Sequence, residues 1–277
     1  MTSVGKELAQ YGLRPRKSLG QHFLTDPNIL KKVVETARIE GKDVVLEVGP
    51  GLGKLTAVLA EKARRVFAVE IDEGLAEVLR TKMAGQQNVE VIRNDILEVN
   101  FHQFIEKEGQ RLKVVANLPY QISTPLLFRF IDFRRLFASL TLMLQKEVAR
   151  RMTATPGGKD YGVLSIFTQA VSDCSIRFLI KPSAFVPPPR VDSAVIHMVW
   201  KRRPIANIED EWFKKVVRGS FLYRRKTLIN ALRHSGLALA ENSSERIKGS
   251  GIDPQRRPET LTIEEFVLLA DALKAPD

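Results

Sequence analysis

Residues Val44 to Leu55, V-V-L-E-V-G-P-G-L-G-K-L, constrain this chain more than any other stretch. Val44, Val45, Leu46 and Val48 make a short apolar run, suited to a strand buried on both faces. Gly49, Gly51 and Gly53 follow at alternate positions, and from Lys54 the apolar spacing turns helical through Leu55, Val58 and Leu59. A glycine turn between a buried strand and a helix is where an α/β sheet builds a ligand crevice. Glycine permits φ > 0 there and lets a ligand lie close to the backbone.

The spacing excludes a dinucleotide fingerprint. G-x-G-x-x-G started at Gly49 would need glycine at Lys54, and started at Gly51 it would need glycine at Thr56. The pattern is instead E-x-G-x-G-x-G from Glu47, which resembles the first motif of S-adenosylmethionine-dependent methyltransferases. That cofactor has no pyrophosphate, so nothing demands the third glycine of the other pattern. The resemblance implies S-adenosyl-L-methionine as cofactor, lying against Gly49 and Gly51.

Downstream, strands alternate with helices, which predicts a mostly parallel sheet covered on both faces. Strands are expected at Val66 to Glu70, Val89 to Ile92, Leu112 to Ala116 and Phe137 to Leu144, then at Cys174 to Ile180 and Ser193 to Trp200. The last two are expected to bring in an antiparallel edge. In a doubly wound sheet the strand ends converge on one crevice. Glu70 closes the second strand, 17 residues past Gly53, where an acid accepts ribose hydroxyls. Asp95 follows the third strand, placed to accept the exocyclic amine of an adenine.

Asn117-Leu118-Pro119-Tyr120 ends the fourth strand and suggests the reaction. An adenine N6 amine is a poor nucleophile because its lone pair is delocalised into the ring. It needs acceptors that hold both N–H bonds and favour a tetrahedral nitrogen. The Asn117 side-chain oxygen and the Leu118 carbonyl are candidates. Pro119 stiffens the turn, and Tyr120 offers a face on which the base can stack. Phe185, in F-V-P-P-P, is the candidate for a second stacking face.

The balance of 43 Lys+Arg against 32 Asp+Glu leaves a net charge of +11, which favours a polyanionic partner, nucleic acid first. Arg150, Arg151, Lys159, Arg224, Arg225 and Lys226 are candidate phosphate contacts. A single cysteine, Cys174, excludes an intrachain disulfide and any multi-cysteine zinc site, and four scattered His offer no metal-ligand spacing, so no metal is expected. No apolar run approaches the ~20 residues of a membrane span, and no signal core is present. A cytoplasmic protein is the expectation.

Several further stretches carry a resemblance. They are G-Q-H-F-L from Gly20, E-V-G-P-G-L-G from Glu47, V-E-I-D from Val69 and Asn94-Asp95. N-L-P-Y-Q-I-S-T-P from Asn117, L-Q-K-E-V from Leu144, Tyr161-Gly162 and F-V-P-P-P-R-V-D-S from Phe185 complete the set. Together they resemble the KsgA-type small-subunit ribosomal RNA adenine dimethyltransferases. The resemblance implies N6-dimethylation of two adjacent adenosines in the 3′-terminal hairpin loop of 16S rRNA during ribosome biogenesis. It implies the fold too: a Rossmann-like class I methyltransferase with a seven-stranded, mostly parallel sheet, plus a small all-helical C-terminal domain. Cofactor contacts are implied at His22, Leu24, Gly49, Glu70, Asp95 and Asn117, with Tyr120 and Phe185 holding the target base. The family more often has Asn where this chain has His22, so a backbone contact would carry over and an amide contact would not. The implied partner is the small-subunit rRNA in a 30S precursor, engaged by a monomer.

Residues 1–203 are therefore expected to form the cofactor-binding domain, with 1–20 a basic, poorly ordered arm, and 204–277 a helical, RNA-contacting domain. The nearest rival is the related large-subunit rRNA adenine methyltransferase of the macrolide-resistance type. Tyr161-Gly162, the Phe185 to Ser193 stretch and the basic tail point away from it. A non-catalytic assembly factor would lack acceptor or cofactor residues, yet Glu70, Asp95, Asn117 and Tyr120 are all present. Small-molecule methyl transfer is disfavoured by the charge.

Overall fold

The computed structural model describes residues 3–274. Contacts divide the chain into two units, Met1–Ala149 with Ser175–Trp200 and Arg150–Cys174 with Lys201–Asp277. The sequence reading draws one boundary after residue 203; in the structure Arg150–Cys174 groups with the helical tail instead.

The first unit is built on strands β1 (Phe23–Leu24), β2 (Val44–Val48), β3 (Arg65–Glu70), β4 (Val89–Arg93), β5 (Leu112–Asn117), β6 (Phe137–Gln145), β7 (Ser172–Ile180), β8 (Phe185–Val186) and β9 (Ser193–Trp200). Its helices are α1 (Ser3–Gln10), α2 (Pro27–Ala37), α3 (Lys54–Ala60), α4 (Glu73–Met83), α5 (His102–Glu108) and α6 (Ser123–Asp132), and α7 (Lys146–Met152) leads out of it. Seven strands form one sheet in the order β4-β3-β2-β5-β6-β9-β7. The pairs β4-β3, β3-β2, β2-β5 and β5-β6 are parallel, and β9 enters antiparallel to β6.

Both faces are covered, which is why β2 is apolar throughout apart from Glu47. On one face Val45, Val66 and Val115 pack under Val33 and Val34 of α2 and Leu55 and Leu59 of α3. On the other, Phe67 of β3 meets Phe104 of α5 with ring centroids 4.7 Å apart. From β2 the chain builds outward through β3 to β4, then returns to β5 on the other side of β2. The turns after β2 and β5 therefore leave in opposite directions, and a crevice opens between them.

The N-terminal arm is more ordered than its polar composition suggests. α1 buries Val4 and Leu8 against Phe23, Leu52, Leu75 and Val78, and Glu7 pairs with Lys82 of α4. An eight-residue helix is marginal alone, so this packing holds it. The short antiparallel pair β1-β8 brings Leu24 opposite Phe185. Neither feature has the length or periodicity that sequence patterns require.

The second unit is helical: α8 (Val163–Val171), α9 (Glu211–Leu222), α10 (Leu228–His234), α11 (Ser243–Gly249) and α12 (Ile263–Leu273). α9 packs on α8, α10 and α12, and Phe221 stacks on Phe266 at 5.8 Å. Thr262 and Glu265 form the capping box their spacing predicts. α11 escapes pattern reading because Ile247 is its one buried apolar side chain. No helix among the described residues is long and apolar enough to cross a membrane.

Leu8→Ala should cost about 2 kcal/mol, read as a lower denaturant midpoint, whereas Gln10→Ala, on the exposed side of α1, should leave the midpoint unchanged.

Candidate functional site

The turn after β2 depends on its glycines. Gly49, Gly51 and Gly53 have φ of 64°, 57° and 79°, which side chains with a Cβ resist. A Cβ on Gly51 would also lie 2.9 Å from Cε1 of Phe23. The Gly49 N–H donates to the Val69 carbonyl at 3.0 Å, which locks the turn to β3.

This turn walls a cleft of about 180 Å³ at the tips of β2, β3, β4 and β5. His22, Leu24, Gly49, Gly51, Glu70, Asp95, Asn117, Leu118, Pro119 and Tyr120 all line it. The structure thus brings together ten of the residues that the sequence singles out. Phe185 is the exception and its assignment is corrected. Its side chain is 1% exposed and packs with Leu24, Ile180 and Val195 in the core rather than lining the cleft. Pairing of β8 with β1 turns it inward.

Glu70 is 5% exposed. One of its oxygens accepts from the Gly51 N–H at 3.1 Å and the other from the Asp72 N–H at 3.0 Å. Burial pushes its carboxyl above the usual range, and the two backbone donors oppose that rise. Each oxygen keeps a lone pair for a further donor, which is what a pair of vicinal hydroxyls would offer. Asp95 is half-buried and accepts from the Leu97 N–H through Oδ1 at 2.9 Å.

Asp72, which the sequence brings in only within V-E-I-D, ties the cleft together. Its Oδ1 caps α4 through the N–H groups of Gly74 and Leu75 at 3.0 and 3.3 Å. Its Oδ2 accepts from Gln21 Nε2 at 3.2 Å and pairs with Arg16 Nε at 3.2 Å. The segment carrying His22 and Leu24 is so held over the glycine turn.

Across the cleft, Asn117 Nδ2 donates to the His22 carbonyl at 2.9 Å. Only the NH₂ of an amide can donate, so this contact settles which way the group faces and leaves Oδ1 as the acceptor. The Leu118 N–H donates to the Met143 carbonyl at 2.9 Å, anchoring the turn to β6. The Tyr120 hydroxyl lies 2.6 Å from Ser193 Oγ, and its ring stacks on His22 with centroids 5.4 Å apart. Burial raises the Tyr120 phenol above its ordinary range.

Glu47 is the site residue that the sequence reading missed, although an acid in an otherwise apolar strand was the available signal. It lines the cleft at 1% exposure, and its Oε2 has no hydrogen-bond partner. Burial pushes its carboxyl up to about 8, raised further by the charge of Glu70 and opposed by the neighbouring Thr56 hydroxyl. A buried, unpartnered acid is costly unless a cation or donor meets it. A ligand with ribose hydroxyls, an exocyclic amine and a positively charged end fits these groups: donors for Glu70 and Asp95, and a cation for Glu47.

In the unfolded chain Glu47 ionises above its ordinary 4.5, and in the fold only above about 8. Between these values folding takes up a proton, so Glu47 makes stability fall as pH rises through that window. Glu47→Gln should therefore gain melting temperature over the wild type as pH goes from 5 to 8. An equal difference at both pH values would show that Glu47 is not a neutral buried acid.

A family model described as ribosomal RNA adenine dimethylase matches residues 12–275. Ribosomal RNA small subunit methyltransferase A of Geobacter metallireducens is 46% identical over 267 residues, covering 95% of this chain and 97% of the relative. The protein of that name from Moorella thermoacetica is 43% identical over 285 residues, covering 99% of each. Among solved structures, a dimethyladenosine transferase from Plasmodium falciparum aligns with a TM-score of 0.76 at 28% identity, covering 90% of this chain and 96% of that one. The 23S rRNA methyltransferase ErmE aligns with a TM-score of 0.68 at 26% identity, covering 91% and 99%. With a cleft of this chemistry at the switch point of its sheet and a family match across nearly its whole length, the chain belongs to the ribosomal RNA adenine dimethylases.

Proposed function

We propose that this protein is an S-adenosylmethionine-dependent enzyme that dimethylates adenine N6 in 16S rRNA. Its targets are two adjacent adenosines in the 3′-terminal hairpin loop. The Asn117 amide carries this reading, because its donor is committed to the His22 carbonyl and its oxygen is left as an acceptor at the cleft.

Bound S-adenosylmethionine supplies an electrophilic methyl on a sulfonium. Glu70 would hold its ribose hydroxyls, Asp95 its adenine amine and Glu47 its cationic end, with the glycine turn beneath. The residues of this chain then do three things for the incoming base. Asn117 Oδ1 and the Leu118 carbonyl accept the two N6–H bonds, which favours a tetrahedral nitrogen with its lone pair localised. Tyr120 gives the ring a surface to stack on. Pro119 has no N–H to compete for those acceptors, and its Cδ lies 3.7 Å from where a Gly49 Cβ would be, so the two turns abut. Each hydrogen bond contributes about 1 kcal/mol, whereas holding nucleophile and methyl in line can be worth ~7–11 kcal/mol. Positioning dominates. A base must leave its stack to enter, at a cost of a few kcal/mol that is least in a loop.

The six candidate phosphate contacts all fall in the second unit. Arg150, Arg151, Lys159, Arg225 and Lys226 are exposed, and Arg224 donates to the Gly158 carbonyl at 3.1 Å. This supports an RNA-contacting role for that unit, with a 30S precursor as the partner; in the proposed reading the enzyme engages it as a monomer in the cytoplasm.

Unmethylated small subunits incubated with enzyme and labelled cofactor should yield dimethylated adenosines by mass spectrometry of the rRNA. Methylation of large subunits in their place would overturn the reading. Asn117→Ala should abolish transfer while calorimetry finds cofactor affinity largely intact; wild-type turnover would remove the acceptor role. Affinity for RNA should fall steeply with added salt, because each phosphate contact releases counterions. A flat salt response would mean that the positive charge is not an RNA footprint.

A further inference from the structure

Tyr120 is held by more than the turn that carries it. Its ring is half-buried and its far end is tied to Ser193 Oγ, 2.6 Å away. Ser193 is 1% exposed and opens β9, where it pairs with Gln145 of β6. The hydroxyl bond therefore runs from a mobile type of element, a turn, to a strand inside the sheet. One face of the phenol ring is covered by the His22 imidazole, stacked at 5.4 Å with 29° between the planes. The imidazole is itself tied down, because its Nδ1 donates to the Pro187 carbonyl at 2.7 Å. A carbonyl can only accept, so Nδ1 carries the proton. The main chain of the same residue orients the acceptor amide, since the His22 carbonyl receives Asn117 Nδ2 at 2.9 Å.

We propose that Ser193 and His22 are positioning residues for the target adenine, acting through Tyr120. Ser193 sets the tilt of the phenol ring, and His22 occupies one of its faces, so the base is directed to the other. The His22 side chain thus serves the base and not the cofactor. This inference rests on the reading of Tyr120 as the stacking surface. Its physical content is preorganisation: a ring already tilted and half-covered does not have to be ordered when the base arrives. Neither residue touches the reacting nitrogen.

Steady-state kinetics on unmethylated small subunits, with cofactor affinity by calorimetry, separates this role from a structural one. Ser193→Ala should lower kcat about tenfold, the size of one lost hydrogen bond. Cofactor Kd should stay within about twofold of wild type, and Ser193→Thr should restore the rate. In the double variant Tyr120→Phe with Ser193→Ala, turnover should be no slower than in Tyr120→Phe alone, because both changes remove the same bond. His22→Asn, which keeps the carbonyl for Asn117 and loses the ring, should lower kcat with Kd unchanged. His22→Phe, which keeps a stacking ring, should recover most of it.

Wild-type kcat in Ser193→Ala, or losses that multiply in the double variant, would overturn the role of Ser193. A weakened cofactor Kd in His22→Asn would overturn that of His22 and place its side chain on the cofactor. Tyr120→Ala keeps the two levels apart. If it turns over at the wild-type rate, Tyr120 is not the stacking surface. If it is slow while Ser193→Ala and His22→Asn are not, only the positioning roles fall.

Discussion

The cleft is organised around an acid that the fold has to bury. Glu70 sits at the tip of β3, nearly out of contact with solvent, and a carboxylate in that position is tolerated only when donors meet it. Two backbone N–H groups do so, one from Gly51 in the glycine turn and one from Asp72 two residues on. Meeting Glu70 in this way draws the turn over the end of the sheet. Asp72, so placed, caps α4 and reaches Arg16 and Gln21, which precede His22. His22 in turn receives the Asn117 amide and covers Tyr120. A connected set of hydrogen bonds thus runs from the ribose side of the cleft to the base side.

Two kinds of buried acid stand side by side in that cleft, with different physics. Glu70 is satisfied by the protein, so its geometry is fixed before any ligand arrives. Glu47, on the neighbouring strand, keeps an unpartnered oxygen and stays protonated over the ordinary pH range. Its cost to the free protein is matched by its use: a cationic ligand makes the ionised form favourable at a place where the fold alone does not. Strain of this sort is characteristic of binding sites and uncommon elsewhere in a core.

Much of this was readable from the chain. The apolar run before Gly49, the alternate glycines and the acids at successive strand ends identify a cofactor crevice, because burial on both faces and a positive-φ turn leave few residue choices. The Asn117 turn was readable for the same reason: a polar side chain at the end of a buried strand is set by where the strand stops. Elements whose order comes from distant contacts were not readable. α1 looked like a disordered arm because its helix rests on Val4 and Leu8 meeting Phe23 and Leu75. The grouping of Arg150–Cys174 with the tail follows from packing that no local pattern reports. Phe185 looked like a base-stacking ring until the two-residue pairing of β8 with β1 turned it into the core.

By itself, then, the sequence determined the sheet, the glycine turn and which polar groups would stand at the strand tips, since these depend on side-chain periodicity and on backbone angles that only glycine tolerates. Tertiary structure alone decided which of those groups are satisfied, which are left open, and which way the Asn117 amide and the Tyr120 ring face. The two orientations depend on partners 73 to 165 residues away along the chain, and a hydrogen bond across such a distance leaves no trace in local spacing.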